Sequence, residues 1–320
     1  MDPDLKRLAV LMPNVLLKTH AQTTNKAYRY MYKRWENWAA AFEEVKVLPA
    51  DPFYVSLFAI YVAQHSNSTS VIKTVVPAIA WGHRLEGLIF DTDCILLKDC
   101  INGLRRSLSK PRIPKDIVEI QHVKDIIDGV DYSDLKDLRT VCLIVLAFFG
   151  FLRFNELVAL KRSDFTFSGS HMKILIRQSK TDQLRAGNAI LISVLSKYCP
   201  VSLMHIYFIM AKIPTDSEYY VFRNIMGKGR ETKLRPKNEH MTYTRIREIV
   251  LEKFKSIGLE TKKLGLHSLR AGGATAAARQ GVSDRLFQRH GRWASEGCKN
   301  LYIQDDLESM LSVTKNLGFE

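Results

Sequence analysis

Residues 107 to 115 read Ser-Leu-Ser-Lys-Pro-Arg-Ile-Pro-Lys. Each proline fixes its own φ, lacks an N–H and pushes the residue before it toward extended backbone, so no helix or central strand runs through this stretch. Its cationic side chains resist burial unless they are paired. Whatever the chain folds into, it divides here. With 320 residues, each side is long enough to bury a core of its own.

The two sides differ in pattern. From about Asn25 to Lys110 apolar residues recur at helical spacing. One helix is expected over Ala27–Phe42, a second from Pro52 to near Ser66, and a third from about Ser70 to Arg84. A fourth carries Ile95, Leu96, Ile101 and Leu104. Asp51-Pro52 and Asp91-Thr92-Asp93 are good helix starts, because acidic groups favour the positive end of the helix dipole. Beyond the prolines the character is mixed. A helix from about Asp134 runs into the buried stretch ending at Gly150, after which Arg153–Leu157 continues as a helix. Met172–Arg177 and Ala189–Ile192 read as strands joined by the polar turn Gln178–Asp182. Helices follow after Pro200 and over Thr242–Ile257. The expected organisation is an N-terminal segment (1–20), an all-helical domain (21–110) and a mixed domain (111–320), mainly α with a small β-sheet.

Lys and Arg number 47 against 33 Asp and Glu, a net charge of +14 with a pI near 9.5. That surplus concentrates polyanions around the chain and points to nucleic acid as partner. The longest apolar run has 12 residues and is closed by Arg153, too short to span a bilayer; no membrane role is expected. Five cysteines without a CxxC pair fit a reducing interior. No acidic cluster resembles a two-metal site and no His/Cys spacing resembles a zinc site, so neither metal nor cofactor is expected.

The chemistry lies in scattered residues. His267-Ser-Leu-Arg270-Ala-Gly-Gly places His267 and Arg270 on one helix face, followed by small residues that allow close helix packing. Trp293 and Tyr302 stand nine apart further on, Arg153 lies in Gly-Phe-Leu-Arg-Phe-Asn-Glu-Leu, and Lys180 sits in the polar turn. In this order and rough spacing they resemble the fingerprint of the tyrosine recombinase (phage integrase) family: Arg, Lys, His-x-x-Arg, His or Trp, then Tyr. The motifs cover roughly residues 140 to 303. The string HSLRAGGATAAARQGVSDRLFQRHGRW is most similar to recombinases of eukaryotic mobile elements of the DIRS, Ngaro and Crypton kinds. The helical part before Lys110 resembles the family's core-binding domain in class only.

The resemblance implies DNA cleavage and rejoining through a 3′-phosphotyrosyl intermediate, and the residue types suit it. Arg153 and Arg270 offer forked donors for the oxygens of an anionic phosphodiester. Tyr302 is the expected nucleophile. Lys180 is suited to protonate the leaving oxygen and His267 to accept the tyrosyl proton or hold the phosphate. Trp293 has an indole N–H to donate, and Glu156 is placed to orient the arginines. Lys173 and Arg185 compete with Lys180 by residue type, and His290 with Trp293. Arg223, Lys228, Arg230, Lys233, Arg235 and Lys237 make a basic loop, loosened by Gly227 and Gly229, that with Arg292 is expected to track DNA phosphates. Leu307, Met310 and Leu311 have helical spacing in the tail 305–320, which the family habit would exchange between protomers of a dimer or tetramer on double-stranded DNA. A nuclear location is implied by the same resemblance. Alternatives are a type IB topoisomerase, which cuts as a monomer, and a DNA-binding descendant of a mobile element that no longer cuts.

Overall fold

Helix starts in the first part of the chain fall where acidic caps and prolines stand. Asp2 accepts the Asp4 amide ahead of α1 (Pro3–Leu17), and Asp51 accepts the Phe53 amide ahead of α3 (Pro52–Gln64). Both helices begin with Pro, whose missing N–H has no partner to lose there. With α2 (Gln22–Ala39), α4 (Thr69–Leu85) and α5 (Ile95–Ser107) they make the helical part. The structure, a computed structural model, describes residues 2–111, 114–177, 187–227, 229–305 and 307–317. It parts into two compact units, Met1–Ile113 and Pro114–Glu320.

In the first unit α2 to α5 enclose a core of Met31, Trp35, Phe58, Val62, Ile72, Ile79 and Leu97. Ile95 and Leu96, expected on the inner stripe of α5, are exposed; Leu97 takes the buried place. No residue of α1 is buried. His83 is fully buried, and its two ring nitrogens meet the Ala50 amide and the Ile79 carbonyl, each at 2.8 Å.

The second unit is organised around α7 (Leu135–Phe149), which is buried on every side, as an all-round apolar helix must be. Against it lie α6 (Ile120–Asp128), a helix the sequence reading missed, with α9 (Pro200–Met210), α10 (Tyr243–Ser256) and α11 (Leu266–Arg279). Three antiparallel strands, β1 (Phe165–Phe167), β2 (His171–Ile176) and β3 (Asn188–Ser193), lie side by side in that order. The register pairs Met172 with Ile192 and Ile174 with Ile190, all four buried. Residues 178–186 between β2 and β3, with the expected Lys180 and its rival Arg185, lie outside the described residues. A small hairpin, β4 (Ile225–Met226) with β5 (Lys233–Leu234), follows. The chain continues in α12 (Asp284–Gly291), α13 (Glu296–Asn300) and α14 (Leu307–Lys315).

Two local features position the site. The apolar run does not continue as one helix: α7 stops at Gly150, Phe151 takes φ +45°, and α8 (Phe154–Val158) starts afresh with Arg153 before it. In α11, a Cβ on Gly272 would strike the Val118 carbonyl, and one on Gly273 the Phe148 carbonyl. The small residues let this helix sit directly on the end of α7, as their spacing foretold.

Candidate active site

The end of α7 supplies carbonyls, and three basic side chains take them. A helix C-terminus leaves carbonyls without intrahelical partners and carries partial negative charge, so cations are favoured there. His290 meets the Phe149 carbonyl at 2.8 Å through Nε2. Arg292 donates to Gly150 at 3.3 Å and to Phe151 at 2.9 Å. Arg270 donates through Nη1 to the Phe151 carbonyl and through Nη2 to Gly291 at 2.6 Å. The break between α7 and α8 is therefore where the arginines gather.

Their counter-charge is Glu156, on the first turn of α8. Its carboxylate accepts the Arg153 amide at 2.9 Å and the Arg153 Nη1 at 2.7 Å, and it pairs with Arg292 Nη2 at 2.8 Å. Arg270 Nη1 stands 3.9 Å away. Burial alone would raise the Glu156 pKa, but Arg292 and Arg153 outweigh it and hold the carboxyl below its usual range. Arg270 has no exposed surface. Burial, and then the charge of Arg153, pull its guanidinium down to about 9, so it stays cationic at neutral pH. One carboxylate thus faces three guanidiniums, a local surplus of positive charge that suits an anion.

Two aromatic rings close the set. The Arg270 guanidinium carbon lies 4.9 Å from the centre of the buried Trp293 ring and 4.8 Å from that of Tyr302. The two rings stand 5.6 Å apart. Among the described residues, Trp293 Nε1 and Arg270 Nε are buried donors without a hydrogen-bond partner. A buried unpaired donor costs on the order of 1–3 kcal/mol, so two beside one another mark a place suited to an acceptor oxygen. Among the described residues no group of three His, Cys, Asp or Glu is gathered in a way that would hold a metal.

The model of the phage integrase family matches residues 117–308. The chain belongs to the phage integrase family. The integrase/recombinase xerD homolog of Selenomonas ruminantium is 27% identical over 307 residues, covering 93% of this chain and 86% of the relative. The fold is shared with the XerH site-specific recombinase solved on its palindromic difH substrate after cleavage. The TM-score is 0.64 at 16% identity, over 91% of this chain and 79% of that one. It is shared also with a lambda integrase dimer on a COC′ core site, at TM-score 0.51 and 13% identity over 89% and 90% of the two chains.

Of the integrase residues read from the sequence, Arg153, Glu156, Arg270, Trp293 and Tyr302 are brought together. His267, one turn before Arg270 on α11, is exposed. His290, the rival of Trp293, has its Nε2 on the Phe149 carbonyl and its ring edge-on to Phe151 at 4.7 Å. Lys173, the rival of Lys180, is exposed mid-strand, opposite Leu191.

Two expected DNA contacts are corrected. Arg292 is not a surface cation: it is buried and committed to Glu156 and to the carbonyls that end α7. Arg223 is buried too, donating to the Tyr220 carbonyl at 3.1 Å and the Arg235 carbonyl at 2.9 Å, so it staples the loop from inside. The described residues of that loop include the β4–β5 hairpin and a helical turn at Gly229–Glu231. Lys233, Arg235 and Lys237 are exposed on it, Lys237 with Glu239 at 2.6 Å; Lys228 lies outside the described residues.

Proposed function

We propose that this chain cuts and rejoins duplex DNA through a covalent bond between Tyr302 and a 3′-phosphate, in site-specific recombination or integration of a mobile element. The observation that carries the reading is the Tyr302 ring resting 4.8 Å from Arg270, beside a second arginine held by Glu156. The phenol oxygen attacks phosphorus, its proton passing to His267, and the bond to the 5′-oxygen breaks. Arg153 and Arg270 hold the non-bridging oxygens as charge builds on them, with Trp293 Nε1 as a further donor. Lys180 gives the leaving 5′-oxygen its proton. The phosphotyrosyl ester conserves the energy of the broken bond, and attack by a 5′-hydroxyl reverses the step without a nucleotide.

The two domains, 21–110 and 111–320, close round the duplex as a clamp. On the helical side Thr69, Lys73, Asn102, Arg105 and Arg106 line a polar groove of about 400 Å³, and on the other side Lys233, Arg235 and Lys237 follow the backbone with Lys228 and Arg230. Assembly on DNA as a dimer to tetramer uses the tail 305–320. Leu307, Met310, Leu311 and Val313 of α14 are all exposed, while an apolar groove of about 630 Å³, lined by Ala189, Leu191, Val282 and Leu286 among others, offers a seat for a partner's tail. No described helix is long and apolar enough to cross a membrane. A nuclear location is part of the same reading, supported by the likeness of residues 267–293 to recombinases of eukaryotic mobile elements.

The direct test is trapping. Incubated with a duplex nicked just beyond its target phosphate, the protein should yield a covalent adduct on a denaturing gel, mapped to Tyr302 after digestion. Absence of an adduct on the sequence the protein selects would leave a DNA-binding protein only. Joining of strands from two separate duplexes separates a recombinase from a monomeric topoisomerase.

Lys180 has its own signature. With sulfur in place of the scissile 5′-oxygen the leaving group needs no proton. Lys180→Ala should then be slow on ordinary DNA and largely restored on the sulfur substrate. Restoration of His267→Ala in its place would move the acid to His267.

A further inference from the structure

Thr275 lies on α11 five residues after Arg270 and has no exposed surface. A threonine inside a helix commonly turns its hydroxyl back to the carbonyl three or four residues earlier. Here the hydroxyl is used on another segment. Its single proton goes to the Tyr302 carbonyl at 3.2 Å, and its oxygen accepts the Gln304 amide at 3.1 Å. One side-chain oxygen therefore holds the backbone at residue 302 and again two residues later. The loop is braced elsewhere by the Tyr302 amide on the Lys299 carbonyl at 3.0 Å and by the Gln304 side chain on the Lys115 carbonyl at 3.0 Å. The Thr275 bonds tie its backbone to the helix that carries Arg270.

We propose that Thr275 is a positioning residue for strand cleavage, its hydroxyl setting the register of the Tyr302 loop against α11 and so the place of the phenol over Arg270. The proposal rests on the reading of Tyr302 as nucleophile. It follows from the geometry that a shift of the loop by a fraction of its hydrogen-bond length moves the attacking oxygen relative to the arginines. A displacement near 1 Å costs on the order of 10² in rate when a reacting group must meet a fixed partner. The sequence marks the residue weakly: Thr275 is the sole polar side chain between Ala271 and Ala278.

Thr275→Val keeps the shape and removes the hydroxyl; Thr275→Ser keeps the hydroxyl and removes the methyl. Single-turnover adduct formation is measured at saturating suicide duplex for the full chain, with DNA affinity and melting temperature alongside and Tyr302→Phe as control. Valine should slow cleavage by roughly 10- to 100-fold with affinity unchanged, and serine should cleave at close to the wild-type rate per folded molecule. If valine cleaves like wild type, or if serine is the slower of the two, Thr275 serves packing and the proposal fails. Should valine not fold, the serine rate alone decides, since a slow serine variant overturns the clasp and a fast one upholds it. An adduct formed by Tyr302→Phe would overturn the nucleophile reading itself, a result distinct from either.

Discussion

Tyr302→Phe is expected to bind DNA as the parent chain does and to form no covalent adduct at all. The phenylalanine ring keeps the packing against Trp293 and the face presented to Arg270, so the change is confined to one oxygen. That oxygen is the atom that would bond to phosphorus. Removing a covalent nucleophile costs on the order of 10⁶ in rate, which on a denaturing gel is complete loss. Two measurements decide it: gel-shift affinity for the intact duplex, which should be unchanged, and adduct yield on the nicked one, which should vanish. An adduct at the parental level would place the nucleophile on another side chain.

The second large effect is expected from exchanging guanidinium for ammonium. Arg153→Lys and Arg270→Lys keep a charge but lose the planar fork, and each should slow cleavage by on the order of 10² to 10³. They should differ in stability. Arg270 donates to two carbonyls from a site without exposed surface; Phe151 keeps its bond from Arg292, but loss of the Gly291 bond in the lysine variant costs on the order of 1–3 kcal/mol. Arg153 is partly exposed and shares its carboxylate with Arg292, so Arg153→Lys should melt near the parent temperature. Single-turnover rates read with melting curves separate loss of catalysis from loss of fold, and normal cleavage by both variants would end the clamp idea.

Much of this site could be read from the sequence because its members announce themselves by spacing. His267 and Arg270 share a helix face, the glycines after them foretell the close approach of α11, and the nine-residue interval from Trp293 to Tyr302 is carried by α13 and the turns at its ends. The part that could not be read is the support. Arg292 stands beside Trp293 in a polar stretch and looks like any surface cation. Its burial is decided by carbonyls of Gly150 and Phe151, some 140 positions earlier, and local pattern carries no trace of such pairings. Arg223 is the same case, buried by carbonyls of its own loop. The end of the buried stretch at Gly150 was legible, but its cause was not. The run Val141–Leu152 is apolar without a gap, and the helix ends within it because basic side chains from elsewhere take up the carbonyls it leaves over.

The imbalance around Glu156 also has a thermodynamic side. Three guanidiniums held near one carboxylate repel one another, and the fold bears that repulsion as lost stability. A phosphate diester brings the missing negative charge, so whatever binds the site also binds the folded form in preference to the unfolded one. On the proposed reading DNA is in that sense a structural ligand of residues 114–320, and the protein is expected to grow harder to unfold as it takes up the duplex and to loosen as it lets the duplex go.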